Sequence, residues 1–377
     1  MAKDSMLEAH VCENTNVTIH RVPIPELPRP TSILIKVHVA STNPKDWKMP
    51  TGMLKTIGDC PNSGDDCAGT DFQVGQRVIA LHQLGAPYGV FAEYCIVEDF
   101  ACIPIPDDLP FEAAATLPMA YFVAVIGLYA PSSLALAEGP WDARKPGHPL
   151  ENEPLLVYGA STAVGTMAIK LARICNIHPI IAIAGRAKDW VAEELLDASK
   201  GDVVFDYRDG HDALVENLKS ALKGKRARYA FDPATDKGSY LTLAEVLEPD
   251  GKIVLTLPGK ATQELKQAQN GKFAGLQVSH AMAGSLWKAL GARPGQEDTG
   301  KDKINLGLTG SEGPTFGRKM SASLAQLLKD GRIQPRKYEV REGGLRGLDG
   351  ALKDLRAGKN SAMSYVVRVS ETEGIDS

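Results

Sequence analysis

The chain has 377 residues, enough for one large or two medium domains, with 44% apolar and 23% charged residues, the balance of an ordinary soluble globular protein. Lys plus Arg is 42 against 46 Asp plus Glu, a net charge of −4, so the chain offers neither the basic face that nucleic acid needs nor a polybasic membrane anchor. The six cysteines (Cys12, Cys60, Cys67, Cys95, Cys102 and Cys175) are scattered, with no Cys-x-x-Cys pair, which predicts free thiols in a reducing, cytoplasmic setting.

Met1 to His10 carries Lys3, Asp4 and Glu8 and lacks the apolar core of a secretory leader. The first third reads as β-rich. Ser32 to Ala40 alternates Ile33, Ile35, Val37 and Val39 with Leu34, Lys36 and His38, the period of a strand. Val78–His82 and Val90–Val97 are further predicted strands, separated by turns rich in Gly, Pro and Asp. Ala113 to Ala137 holds no charge and is long enough to span a bilayer, but Pro118, Pro131, Ser132 and Ser133 break it, so a buried helix followed by a loop is predicted. Pro131 to Pro154 reads as a linker.

From Leu155 the character changes to alternating strands and helices. Strands are predicted at 155–158, 179–183, 203–205, 229–231 and 253–257, with helices at 163–175, 189–200, 211–222 and 240–247. This rhythm predicts an α/β fold, a doubly wound parallel sheet covered on both faces. Gly284 to Gly317 is polar, rich in glycine and read as a second long linker. Helices at 319–329 and 348–356 and a strand at 365–369 follow.

The first strand-to-helix turn, Val157-Tyr158-Gly159-Ala160-Ser161-Thr162-Ala163-Val164-Gly165, carries the chemistry. Gly159 permits the tight turn, small residues let a diphosphate approach the backbone, and Gly165 lets the helix pack closely on the sheet. The helix start adds free N–H groups and the positive end of its dipole. The spacing differs from Gly-x-Gly-x-x-Gly, and the regular alternation after it is what makes the turn a dinucleotide site rather than a bare connection. No Gly-Lys-Ser/Thr follows, which argues against a phosphate-loop NTPase. The second strand ends Ala184-Gly185-Arg186-Ala187-Lys188, without the acid that would hold a ribose 2′-hydroxyl. Arg186 suits a 2′-phosphate instead, so NADPH is expected over NADH.

Several stretches resemble the zinc-free quinone oxidoreductase and enoyl reductase branch of the medium-chain dehydrogenase/reductases. They are Asn43-Pro44-Lys45-Asp46-Trp47-Lys48, Gly64-Asp65-Asp66-Cys67-Ala68-Gly69, Val74-Gly75-Gln76-Arg77-Val78 and Phe111 to Pro118. Val204 to Arg208 and the ending from Gly358 to Val369 complete the likeness, which covers nearly the whole chain. Within that branch the sequence is most similar to fungal trans-acting enoyl reductases of polyketide synthases. The resemblance implies a Rossmann domain at 123–317 and a β-rich GroES-like catalytic domain from 1–122 and 318–377. It implies NADPH as cofactor, an acyl carrier domain of a polyketide synthase as partner, and no membrane or nucleic acid. Ser161 and Thr162 fall where the turn meets the phosphates, and Tyr207 where an aromatic lies beside the adenosine 2′-phosphate. Asn360 and Ser361 fall in the segment that closes on the cofactor. Lys48 falls at the substrate-facing position and is the expected catalytic residue. An exposed lysine more often only solvates, so pairing with Asp46 or a phosphate is the alternative.

The family's zinc members use Cys and a Gly-His-Glu segment as ligands; Gly64-Asp65-Asp66 stands here, so no metal is expected. The family's usual hairpin after Ala68-Gly69 is missing, which predicts a lost strand and an exposed edge. Val123 stands where a Thr often meets the nicotinamide, and Ala362-Met363-Ser364 lacks the basic residue common there. The expected activity is hydride transfer to the β-carbon of an enoyl thioester. The alternatives are a stand-alone NADPH-dependent enone or quinone reductase and a non-catalytic dinucleotide-binding partner. A monomer or weak dimer is expected, with the 284–317 insertion covering the last strand's edge.

Overall fold

β1 (Ser5–Val11) and β2 (Val17–Pro23) form an antiparallel hairpin, Ser5 opposite Pro23 and Val11 opposite Val17. Leu7, Ala9 and Val11 bury one face while Glu8 and His10 alternate with them. This is a strand pattern the sequence reading passed over, because β2 buries no residue and reads as polar. The computed structural model describes residues 4–51, 61–70, 75–257, 260–290, 307–308 and 311–375.

β3 (Ser32–Ser41), the short α1 (Pro44–Lys48), β4 (Asp66–Thr70), β5 (Arg77–Leu81), β6 (Tyr94–Glu98), β7 (Cys102–Pro104) and α2 (Phe111–Ala114) follow. The uncharged stretch becomes α3 (Pro118–Tyr129), where Tyr121, Phe122, Val125 and Ile126 are buried: a core helix, as expected. The linker to Pro154 then runs through turns.

The alternating region holds β8 (Leu155–Tyr158), α4 (Ala163–Ile174), β9 (Ile180–Ala184), α5 (Lys188–Leu195), β10 (Val203–Asp206), α6 (His211–Ala221), β11 (Ala227–Asp232), α7 (Ser239–Val246), β12 (Leu247–Leu255), α8 (Lys260–Gln267) and β13 (Gln277–His280). The six strands are parallel in the order β10-β9-β8-β11-β12-β13. Counted from β8 this is 3-2-1-4-5-6, the doubly wound order whose reversal between strands 1 and 4 opens a ligand crevice. β9 is buried throughout, Ile180 to Ala184, as a strand covered on both faces must be.

The return holds α9 (Glu312–Lys329), β14 (Lys337–Val340), α10 (Leu348–Arg356) and β15 (Met363–Arg368). α9 starts seven positions before the predicted 319, and a 3₁₀ turn, Ala283–Leu290, occupies the start of the supposed linker. The seven-stranded sheet runs β14-β15-β3-β4-β5-β7, with β6 on β3. β4 pairs with β3 and β5, Thr70 facing Arg77, so neither of its sides is an edge. Residues 71–74, where the family hairpin would sit, lie outside the described residues, as do 291–306 of the proposed edge cover.

The chain divides into two compact units: Met1–Met119 with Trp287–Asp298 and Pro314–Ser377, and Ala120–Leu286 with Thr299–Gly313. The sequence reading puts these cuts at 122 and 317. The first unit's core joins Ile35, Val37, Cys67, Val78 and Phe91 to Leu348 and Leu352 of α10. The second joins Leu156, Ile181 and Ile253 to Leu214 and Leu243.

Candidate active site

In the second unit, Gly159 ends β8 at φ +80°, a conformation open to glycine. Its N–H and that of Ala160 both bind the carbonyl of Ile183 on β9, at 2.9 Å, so the turn is fixed to the neighbouring strand. Thr162 caps α4: its Oγ1 accepts from the Gly165 N–H at 3.0 Å. A Cβ on Gly165 would lie 2.2 Å from the Gly159 carbonyl oxygen, so only glycine lets the helix start this close to the strand. Ser161 is half-buried on the same turn.

Tyr207 leaves the end of β10 and lies over Gly185 at the end of β9, where a Cβ would be 2.6 Å from its ring. Its ring, 45% exposed, stacks loosely with Tyr158, centroids 6.1 Å apart. Arg186 is exposed beside Gly185. Gly159, Ser161, Thr162, Gly165, Arg186 and Tyr207 therefore gather at the carboxyl ends of β8, β9 and β10.

Three further groups there escaped the sequence reading. Asp206 ends β10 beside Ala184. Arg208 grips it, Nε to both carboxylate oxygens at 2.9 and 3.1 Å and Nη2 at 2.5 Å. That bond holds Asp206 down at about 2, so this carboxylate beside the end of β9 carries its own counter-charge. Asp232 ends β11 and accepts from Ala234 N, Thr235 N and Ser239 Oγ at 3.1, 2.9 and 2.5 Å. Burial pushes it up to about 6. Burial, with Asp232 nearby, likewise lifts Tyr158 to about 12. An Asp followed by two turn residues is the signal for Asp232.

In the first unit, Lys48 closes α1, its Nζ 5.7 Å from the Trp47 ring centroid. Arg356 of α10 lies 5.8 Å from the same centroid. α1 starts at Pro44, and Asp46 accepts from the Asn43 N–H at 2.6 Å, a reach-back cap. Asn43 gives its side-chain amide to Asp66 at 2.9 Å. Asp66 also accepts from the Met119 N–H at 2.7 Å, and burial pushes it up to about 8. Asn360 donates to the Met363 carbonyl at 3.4 Å and Ser361 is exposed, both before Ala362 at φ +51°. Lys48, Asn360 and Ser361 are thus in the first unit and the other site residues in the second. Val123 is buried in α3. Among the described residues, no group of three or more His, Cys, Asp or Glu is placed to hold a metal.

Residues 29–107 match the alcohol dehydrogenase GroES-like domain. A putative zinc-dependent alcohol dehydrogenase from Rhizobium etli has the same fold, with TM-score 0.72 at 18% identity, covering 97% of this chain and 99% of that one. CurK enoyl reductase superposes with TM-score 0.66 at 17% identity, covering 97% and 98%. The fold is that of the medium-chain dehydrogenase/reductases. The sequence is 39% identical over 279 residues to trans-enoyl reductase fsr4 of Gibberella fujikuroi, covering 70% of this chain and 78% of that protein. It is 29% identical over 355 residues to trans-enoyl reductase eqxC of Fusarium heterosporum, covering 89% and 90%. The chain belongs to the trans-enoyl reductase family.

Proposed function

We propose that the protein reduces the C=C bond of an α,β-unsaturated thioester carried on the acyl carrier domain of a polyketide synthase, with NADPH as reductant. Membership of the trans-enoyl reductase family carries this reading. NADPH supplies the hydride that reaches the β-carbon. The turn from Gly159 to Gly165 holds its diphosphate through the N–H groups at the start of α4. Lys48 faces the developing charge. As the hydride adds, an electron pair moves onto the thioester oxygen, and the ammonium stabilises that enolate. The pair then returns to form the α-carbon–hydrogen bond, with the proton delivered by a general acid, a role open to Lys48 itself. The test is reconstitution: a polyketide synthase unable to reduce its own enoyl intermediates should release the reduced product only when this protein and NADPH are both present. An unchanged product would sink the reading.

NADPH over NADH follows from the end of β9, which carries no acid, and from Asp206, whose charge Arg208 balances. Arg186 and the Tyr207 ring receive the 2′-phosphate and the adenine side of the cofactor. Arg186→Ala should weaken NADPH about 10-fold, the worth of one charge-assisted contact, and leave NADH unchanged. Fluorescence titration of both cofactors decides it, and equal affinity in the parent protein would refute the preference. Arg208→Ala should weaken NADPH more than NADH as well, because it bares the Asp206 carboxylate.

No metal takes part in this chemistry. After dialysis against a chelator, elemental analysis should find far less than one zinc per chain with activity intact. Among the described residues, Cys12, Cys67, Cys95, Cys102 and Cys175 form no disulfide.

A further inference from the structure

Lys45 lies three residues before Lys48 on α1 and turns inward, its side chain only 13% exposed. Its ammonium is 2.6 Å from Asp46 Oδ1 and 2.6 Å from Asp65 Oδ2, and it donates to the Ser63 carbonyl. The chain of contacts continues in both directions. Asp65 meets His82 Nδ1 at 2.9 Å, and His82 Nε2 meets the Pro87 carbonyl at 3.0 Å. Asp46 accepts from Asn43, and Asn43 reaches Asp66 and, through it, the first turn of α3. One buried cation thus joins α1 to the approach to β4, to the segment after β5 and to the start of α3.

The charges fix where this cation stays. Burial alone would strip the proton from Lys45, but Asp46 and Asp65 overcome it and raise the ammonium above its usual range. Burial also works to raise Asp65, and Lys45 with His82 holds it below the ordinary value. Moving Lys45 would leave two buried carboxylates uncompensated, so the arrangement resists displacement. α1 by itself is five residues long, too short to hold its shape by helix propensity. The place of Lys48 is therefore set by what anchors α1, and Lys45, with two buried ion pairs, is such an anchor.

We propose that Lys45 is a positioning residue for Lys48: its ion pairs with Asp46 and Asp65 pin α1 so that the Lys48 ammonium meets the thioester oxygen at a fixed place. The proposal rests on the reading of Lys48 given above. Lys45 itself does not touch substrate. Replacing it should spare substrate and cofactor binding and slow the chemical step, since a small misplacement of a charged group is felt most where charge develops.

The test uses Lys45→Met, Asp65→Asn, Lys48→Ala and the double variants Lys45→Met/Lys48→Ala and Asp65→Asn/Lys48→Ala. NADPH oxidation with a pantetheine-linked enoyl thioester gives kcat and KM, and fluorescence titration gives NADPH affinity. Lys45→Met should lower kcat by ~10-fold or more, with KM and NADPH affinity within about 2-fold of the parent. Each double variant should fall no further than Lys48→Ala alone, because the two residues act as one unit. Losses that multiply in either double variant, or an unchanged kcat in Lys45→Met, would overturn the proposal. Asp65→Asn, nearly isosteric, decides the matter if Lys45→Met fails to fold: it should lower kcat only when Lys48 is present. The reading beneath it fails separately. Lys48→Ala with full kcat removes the role of Lys48 and this proposal with it, whereas Lys48→Ala slow and Lys45→Met normal removes only this proposal.

Discussion

Gly165→Ala should lose most of its NADPH affinity while the protein still folds. The new Cβ would sit 2.2 Å from the Gly159 carbonyl oxygen and 3.0 Å from the Ala160 Cα, both backbone atoms of the turn itself. No side chain is available to swing aside, so α4 must move away from β8. Overpacking of this kind costs about 1–3 kcal/mol of stability. The shift also breaks the bond from the Gly165 N–H to Thr162 and displaces the N–H groups that receive the diphosphate. A weakening of ~100-fold, about 2.7 kcal/mol, is expected from fluorescence titration. Gly350→Ala is the control. Gly350 is exposed in α10, with nothing within 4 Å of the added Cβ, and alanine there should stabilise the protein by roughly 0.5–1 kcal/mol. If Gly165→Ala binds NADPH as the parent does, the turn is not the diphosphate site.

The second unit was legible in the sequence because its central strands β8 and β9 are buried on both faces. Leu155 to Tyr158 and Ile180 to Ala184 read as unbroken apolar runs, and glycine marks the turn between strand and helix. The first turn of α9 was not legible, because Gly313, Pro314 and Gly317 all argue against a helix. Proline is tolerated in a first turn, where its missing N–H has no partner to lose. The glycines answer close approaches: a Cβ on Gly313 would lie 2.2 Å from the Leu286 carbonyl oxygen, and one on Gly317 would lie 3.0 Å from Phe100. Such contacts are distant in sequence and leave no local mark. The site divides in the same way. Gly159, Gly165 and the acid-free end of β9 follow from local spacing, and Lys48 follows from a short motif. The Lys45, Asp65 and His82 cluster joins residues from three segments, and each of them alone reads as a solvated charge. Arg208 is the opposite case, a partner only two residues from Asp206.

The substrate should be read through its handle as much as through its double bond. A crotonyl thioester on a simple thiol presents only the reacting atoms, whereas a pantetheine arm and a carrier domain bring contacts remote from the chemistry. Remote contacts supply orientation, and orientation raises the rate of a step that must align a hydride donor, a β-carbon and a cation at once. Moving from the simple thioester to the pantetheine-linked one should raise kcat/KM by ~10-fold or more, with a further rise when a polyketide synthase presents the chain. Lys48→Ala tests the cation within the same series. An enolate stabiliser acts in the transition state, so its loss should lower kcat ~100-fold and leave KM nearly unchanged with every member. A lysine that only binds the thioester would instead raise KM and spare kcat. NADPH oxidation across the series separates the readings. Values of kcat/KM that stay flat from crotonyl thioester to synthase would mark a stand-alone reductase of small enones. Absence of oxidation with every member, the synthase included, would mark a protein that binds the dinucleotide without turning it over. A steep rise that Lys48→Ala lowers in parallel, by the same factor at each step, is the result that joins this chain's chemistry to a carrier-bound substrate.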